Sequence, residues 1–199
     1  MPTYLALGDS YTIGEAIAAH ERWPAVLAQR LRQAGTPIGE PQIVAVTGWT
    51  TDELAQGMDA ATLAPHYDLV TLQIGVNNQY RGRPADDYRA QFTGLLDRAI
   101  TLAGGCPARV VVASIPDWGV TRFAREQGRD RARIAEELDA YNAIAADACR
   151  RAGTGFVDIT GISRQHSELL ADDGLHPSAA QYALWVEAIE PAVRAALRS

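Results

Sequence analysis

The chain has 199 residues, of which 47% are apolar and 21% charged, a composition that predicts one globular domain and excludes a fibrous or disordered protein. Its 24 acidic and 18 basic residues give a formal charge of -6, so neither nucleic acid nor an anionic lipid surface is an expected partner. All of the basic residues are arginines, which excludes a Walker A lysine, a Schiff-base lysine and a serine–lysine dyad.

Short apolar runs alternate with longer amphipathic stretches, the pattern of strand–helix units around a parallel sheet. The runs are almost continuously apolar, as expected for strands that are covered on both faces. In chain order we predict a strand at Tyr4–Leu7, a helix over Trp23–Leu31, strands at Ile43–Val46 and Leu69–Ile74, a helix over Tyr88–Ile100, a strand at Val110–Ser114, a helix over Ile134–Ala148 and a strand at Gly155–Val157.

The segments around the last two predicted strands are less regular. Asp117 to Arg129 is the longest stretch without an apolar period, and we predict a long loop there, of the kind that carries function or mobility. A final helix is predicted to begin at Pro177, because proline suits the first turn of a helix, and to kink or restart at Pro191.

The remaining signals concern redox state and location. Cys106 and Cys149 are too few and too widely spaced for a zinc or iron–sulfur site, so we expect two reduced core residues. The chain runs from Met1 directly into the first strand, with no basic leader and no long apolar segment. We therefore expect a cytoplasmic protein with no integral membrane segment, although a removed leader would leave the same sequence.

The residues that could do chemistry follow the predicted strands. The first strand ends in Gly8-Asp9-Ser10, the second runs into Gly48, the third into Gly75-Val76-Asn77, and the last is followed by Asp173-Gly174-Leu175-His176. Parallel open sheets gather their sites outside the carboxyl ends of the strands. We therefore expect all four blocks to meet at one edge of the sheet.

These residue types are those of serine-based acyl transfer. A serine hydroxyl needs a base to accept its proton and a carboxylate to fix the tautomer of that base, roles that fit Ser10, His176 and Asp173. The spacing of three residues between Asp173 and His176, on a turn that contains glycine, lets the carboxylate reach Nδ1 and leaves Nε2 for the serine.

An oxyanion that develops on the substrate carbonyl also needs donors that are already in place. The candidates are the backbone amides of Ser10 and Gly48 and the side-chain amide of Asn77. Glycine at position 48 permits close approach of the backbone, and the amide of Asn77 is a donor whose charge does not change with pH.

The four blocks resemble, in kind and in order, those of the SGNH hydrolase (GDSL esterase/lipase) family, and the resemblance extends from residue 8 to residue 176. Gly-x-Ser-x-Gly, the nucleophile motif of α/β-hydrolases, does not occur. The resemblance implies a three-layer αβα, flavodoxin-like fold and hydrolysis of carboxylic esters without a metal or other cofactor. It implies Ser10 as nucleophile, His176 as base, Asp173 as its support, and Ser10, Gly48 and Asn77 as oxyanion donors.

The third block departs from the family pattern, because Asn78 stands where an acid is usual, and any pairing made by that acid must differ. We expect the substrate, a small-molecule ester of a short acyl group, to contact residues in the loops around the site: Trp49, Asn78, Tyr80, Trp118 and Phe123. Lysophospholipase and thioesterase activities remain alternatives, as does a flavodoxin-like binding module without turnover.

Other polar groups receive plainer interpretations. Asp172, Asp173 and His176 would make only a thin metal shell, with no partner cluster elsewhere. His176 could also cap the last helix. The arginines from Arg122 to Arg133 alternate with acids, which favours a solvated mixed-charge surface over an anion site. His20, His66 and His166 lack a carboxylate at useful spacing and are assigned no role.

Overall fold

The computed structural model describes all 199 residues, and its centre is a five-stranded sheet in the order β2-β1-β3-β4-β5. The strands are Tyr4–Gly8 (β1), Pro41–Ala45 (β2), Leu69–Gln73 (β3), Val110–Ala113 (β4) and Gly155–Val157 (β5). Every pairing is parallel. The structure confirms the α/β class and all of the predicted strands, with small differences at their ends.

The helices lie in two layers. They are Ser10–Ile13 (α1), Trp23–Gln33 (α2), Thr51–Ala60 (α3), Val76–Tyr80 (α4), Ala85–Leu102 (α5), Arg122–Glu126 (α6), Arg131–Ala152 (α7), Thr160–Gln165 (α8) and Ala179–Ala196 (α9). Helix α2 packs on α9, whereas α5 packs on α3 and α7. The sheet lies between these two groups, which makes a three-layer αβα sandwich. None of the helices combines the length and apolar character needed to cross a bilayer.

Burial follows the position of each strand in the sheet. Every residue of β1, β3 and β4 is buried, while the edge strands β2 and β5 are only partly covered. This explains why the central strands have continuous apolar sequences. The register aligns Gly8 with Ala45 on one side and with Gln73 on the other. The loops after β1, β2 and β3 therefore leave the sheet at the same level.

Two predictions about the last helix differ from the structure: its predicted start is wrong, and of the kink or restart predicted at Pro191 the restart does not occur. The last helix begins at Ala179, not at Pro177, because Ser178 is the N-cap and its hydroxyl accepts a hydrogen bond from the amide of Gln181. Pro177 lies instead in an isolated bridge with Leu170. The helix runs through Pro191 without restarting.

The segment from Asp117 to Arg129 is also more regular than a long loop. It holds a 3-10 helix, Trp118–Val120, followed by α6. The buried carboxylate of Asp117 accepts a hydrogen bond from the amide of Gly119 at 2.8 Å and pairs with Arg164 at 2.8 Å. Thr121 caps α6. Caps of this kind give short helices an order that apolar periodicity does not reveal.

Candidate active site

A cavity of about 160 Å³ opens at the carboxyl ends of β1 and its neighbours. Ser10, Gly48, Asn77 and His176 all line it. They come from the segments after β1, β2 and β3 and from the segment that leads into α9. The structure thus brings the four blocks of the sequence to one edge of the sheet.

Ser10 is held in a tight turn between β1 and α1. It is the first residue of α1, and the preceding Asp9 is the N-cap, whose carboxylate accepts a hydrogen bond from the amide of Tyr11 at 3.0 Å. The carbonyl of Tyr11 in turn accepts a hydrogen bond from the hydroxyl of Tyr182, on α9, at 2.9 Å. The turn is therefore fixed from both sides, and the Ser10 side chain lies at the cavity wall.

His176 and Asp173 form a local pair. Asp173 Oδ2 lies 2.6 Å from His176 Nδ1, and Asp173 Oδ1 accepts hydrogen bonds from the amides of Leu175 and His176 at 2.9 and 3.0 Å. Partial burial would raise the pKa of Asp173, but these hydrogen bonds outweigh it and hold that pKa below its usual value. The contact with Asp173 is the only hydrogen bond of the His176 ring, so Nε2 is left for the cavity.

Three potential donors belong to residues that line the cavity. The amide of Ser10 has no acceptor within α1, because it is the first residue of that helix. Gly48 has φ +88, a left-handed conformation that favours glycine, and its amide makes no hydrogen bond within the protein. Asn77 donates one side-chain N–H to the carbonyl of Trp49 at 2.9 Å, which leaves its second N–H free.

Arg81, which the sequence did not single out, fixes the loop that carries Gly48. Its guanidinium donates to the carbonyl of Gly48 at 2.6 Å and pairs with Glu53 at 3.1 Å. Arg81 follows Asn77 by one helical turn, so the same short segment holds the two consecutive carbonyls of Gly48 and Trp49. That spacing is the only signal by which the sequence could have indicated this role.

Three neighbouring aromatic residues form one wall of the cavity, here called the aromatic wall. They are Tyr80, Trp118 and Phe123, with ring centroids 5.3 Å apart for Tyr80 and Trp118 and 6.4 Å apart for Trp118 and Phe123. The indole N–H of Trp118 donates to Gln79 at 2.8 Å, which fixes the orientation of the ring. Three of the five residues expected to contact the substrate therefore line the cavity.

The side chains of Trp49 and Asn78 lie elsewhere, contrary to expectation. The indole of Trp49 packs on Gly57 of α3, so closely that any Cβ at position 57 would collide with it. Asn78 is fully buried: its side chain accepts from the amide of Thr51 at 3.1 Å and donates to the hydroxyl of that residue at 2.7 Å. In place of the acid usual in the family, Asn78 joins α4 to the first turn of α3.

Four further residues line the cavity: Tyr11, Thr47, Val76 and Leu175. Each is the chain neighbour of a residue that the sequence identified, and that adjacency is the only signal of their position. The Tyr11 ring lies edge-on to the ring of His176, with centroids 5.7 Å apart. It therefore limits the movement of the imidazole.

The alternative interpretations find little support in the geometry. No three His, Cys, Asp or Glu side chains converge in a way that could hold a metal ion. Ser178, not His176, caps α9. His20 and His66 are exposed and lie outside the cavity. His166 does have a neighbouring carboxylate, Glu168 at 3.6 Å, but it too lies outside the cavity.

The buried carboxyl of Asp9 should make stability depend on pH. Burial raises its pKa from about 3.8 to about 7, although backbone amides donate hydrogen bonds to it. Between these values the folded state binds more protons than the unfolded state, so this group makes stability fall as pH rises through that window, by at most about 1.4 kcal/mol per pH unit. We expect Asp9→Asn to remove this decline.

The measurement is the free energy of unfolding in urea from pH 4 to pH 8. Only the slope against pH is compared, because the amide also changes the local hydrogen bonding. Asp86→Asn, at a carboxylate that is 98% exposed, is the control and should keep the slope of the wild type. An Asp9→Asn variant with the slope of the wild type would contradict the expectation.

Comparison with known proteins agrees with this fold. A sequence profile of the GDSL-like lipase/acylhydrolase family matches residues 6–184. No curated protein matches the sequence.

Several solved structures share the fold over nearly the full chain. TesA has a TM-score of 0.75 at 18% identity, covering 98% of this chain and 99% of its own. The esterase EstA from Pseudoalteromonas sp. has 0.75 at 16% identity, with 100% of both chains covered. Axe2, an acetylxylan esterase from Geobacillus stearothermophilus, has 0.76 at 18% identity and covers 96% of this chain and 94% of its own.

Proposed function

The chain belongs to the GDSL-like lipase/acylhydrolase family and is a carboxylic ester hydrolase, and from this premise we propose that Ser10, His176 and Asp173 are its catalytic triad. The observation that carries the proposal is the shared cavity, in which Ser10 and His176 face the same space while Asp173 lies 2.6 Å from Nδ1 of the imidazole.

Acylation begins when Ser10 Oγ attacks the ester carbonyl and passes its proton to Nε2 of His176. The Asp173 carboxylate accepts the hydrogen bond from Nδ1, which keeps Nε2 unprotonated before attack and stabilises the imidazolium that forms. The tetrahedral intermediate collapses, the C–O bond to the alcohol breaks, and the alcohol leaves with the proton from His176. Water then attacks the acyl-enzyme with His176 again as base, and the acid is released.

The oxyanion of each tetrahedral intermediate lies among three neutral donors in this proposal: the amides of Ser10 and Gly48 and the free side-chain N–H of Asn77. Their orientation is set before substrate binds, since Trp49 and Arg81 hold the loop and the Asn77 side chain in place. Donors arranged in this way need no reorganisation during the reaction, which is the main source of their catalytic effect.

Removing one of these donors gives a direct prediction. Asn77→Ala should lower kcat by about 10²- to 10³-fold with a much smaller change in KM, because the lost interaction is made mainly in the transition state. Steady-state kinetics on a nitrophenyl ester measures both constants, and a thermal melt checks that the fold is retained. A loss of less than tenfold in kcat would exclude Asn77 as an oxyanion donor.

The size of the cavity favours esters of short acyl groups. Its volume of about 160 Å³ is close to that of an engineered apolar cavity of about 150 Å³ that holds benzene, so an acetyl to butyryl chain fits within it and a longer chain would extend beyond it. The structural neighbour Axe2 is an acetylxylan esterase. We therefore propose acetyl and other short acyl esters as substrates.

The test is kcat/KM along a series of nitrophenyl esters from acetate to dodecanoate, extended to an acyl thioester and a lysophospholipid. We expect a maximum at four carbons or fewer and lower values for the thioester and the lysophospholipid. A maximum at eight carbons or more would overturn the substrate proposal and favour the lysophospholipase alternative. No turnover of any ester would overturn the proposed function itself.

A further inference from the structure

A second cleft of about 260 Å³ adjoins the aromatic wall of the active-site cavity. Tyr80 lines both spaces, and its side chain is one of few large hydrophobic side chains left exposed, at 45%. The charged residues of the cleft are Arg129, Asp130, Arg133 and Glu137. A substrate bound at Ser10 that extends past Tyr80 would enter this cleft.

Arg129 differs from the other arginines of its segment in its contact with aromatic rings, and from all of them except Arg125 in having no ion pair or hydrogen-bonded carbonyl. Arg122 pairs with Glu126 and donates to the carbonyl of Asp172, Arg131 donates to the carbonyl of Gly119, and Arg133 pairs with Glu137. The guanidinium of Arg129 forms no ion pair, although its charge helps to lower the pKa of Glu137, and it lies 5.1 Å from the ring centroids of both Tyr80 and Trp118. The expected solvated, mixed-charge surface therefore describes its neighbours but not Arg129.

Both carboxylates of the cleft already accept hydrogen bonds from the protein. Glu137 accepts hydrogen bonds from Arg133 and Gln79, each at 2.7 Å. Asp130 caps α7 by accepting from the amide of Arg133 at 3.1 Å. The four formal charges of the cleft sum to zero, but Glu137 is paired with Arg133 and Asp130 accepts a helix amide, whereas the guanidinium of Arg129 has no ion pair. Recognition of an anion here would depend on that one group, not on a broad positive potential.

The position of Arg129 suits it to bind an anion. Its guanidinium lies over two aromatic rings and donates no hydrogen bond to an oxygen of the protein, so its N–H groups remain available. The rings also restrict the side chain before substrate arrives, which lowers the entropy cost of binding. A planar edge of N–H donors matches two oxygens of a carboxylate or a phosphate.

From these observations we infer that Arg129 is a specificity-determining residue that selects esters bearing a carboxylate or phosphate group beyond Tyr80. The inference rests on the proposed function, because it supposes that the ester carbonyl is bound at Ser10. It narrows the substrate class from short acyl esters in general to those with an oxyanion on the acyl or the alcohol part.

The test compares kcat/KM for two pairs of esters matched in length. On the acyl side, the mono-4-nitrophenyl ester of glutaric acid is paired with 4-nitrophenyl pentanoate. On the alcohol side, the acetate ester of 3-hydroxypropyl phosphate is paired with pentyl acetate. The test uses three enzymes: the wild type, Arg129→Gln and Arg125→Gln. Arg125→Gln is the matched control, because Arg125 also has no paired carboxylate but lines neither the active-site cavity nor the second cleft.

We expect the wild type to prefer the charged member of at least one pair by roughly tenfold or more, the effect of one hydrogen-bonded charge pair. Arg129→Gln should abolish that preference, whereas Arg125→Gln should retain it. The pair that shows the preference tells whether the anion belongs to the acyl or to the alcohol part.

Three results would overturn the inference. They are a wild type without preference for either charged ester, an equal loss in both arginine variants, and an Arg129→Gln variant in which charged and neutral esters decline by the same factor. The last result would mean that Arg129 stabilises the aromatic wall and does not bind the anion. The neutral esters separately report the proposed function, because their turnover by the wild type does not depend on Arg129 binding an anion.

Discussion

Ser10→Ala is expected to lower kcat by about 10⁶-fold while leaving the fold intact, because the hydroxyl that forms the acyl-enzyme is removed. Its side chain lies at the wall of the cavity, so loss of one oxygen there leaves no unpaired partner in the core. The residual rate should still exceed that in water by 10³- to 10⁴-fold, since the oxyanion donors and the binding cavity remain.

The measurement is steady-state hydrolysis of 4-nitrophenyl acetate, together with the melting temperature of each variant. Ser167→Ala, at a serine outside the cavity, is the matched control and should keep the activity of the wild type. A Ser10→Ala enzyme that retains more than about one hundredth of that activity would exclude Ser10 as the nucleophile.

His176→Ala should be nearly as damaging as loss of the nucleophile, about 10⁶-fold in kcat, whereas Asp173→Ala should cost about 10⁴-fold. The ranking follows from the roles, because a serine without a base cannot be deprotonated, whereas a less well-oriented imidazole still accepts a proton. Asp173 also accepts the amides of Leu175 and His176, so its alanine variant should be less stable than the wild type.

Asp173→Asn separates orientation of the imidazole from stability of the turn. Its side-chain oxygen can still accept the two amides, but its NH2 group facing Nδ1 favours the wrong imidazole tautomer. We expect a loss of about 10⁴-fold in kcat with little change in melting temperature. If Asp173→Ala lost more activity than His176→Ala at equal stability, the proposed roles would be wrong.

The sequence predicted the sheet and the convergence of the four blocks because both follow from simple geometry. Continuous apolar runs identify buried parallel strands, and the register that aligns Gly8 with Ala45 and Gln73 brings the following loops to one edge. Asp173 and His176 are close in the chain, so their pairing needed only a local turn.

Side-chain direction was harder to predict. Asn77 and Asn78 are neighbours on a short helix, where successive side chains differ by about 100°, so only one of them can face the cavity. Trp49 lies next to Gly48, but its ring packs on α3, in the space that the missing side chain of Gly57 leaves. The roles of Arg81 and Arg129 depend on partners from distant parts of the chain, which no local pattern reveals.

The most direct test is reaction of the protein with an organophosphonate that carries a good leaving group, followed by intact mass and peptide mapping. An activated serine displaces the leaving group and keeps the phosphonyl group. We expect one adduct per chain, located on Ser10, and none in Ser10→Ala or in His176→Ala over the same time. An adduct on another residue, or an adduct that persists in Ser10→Ala, would contradict the assignment of Ser10 as the nucleophile.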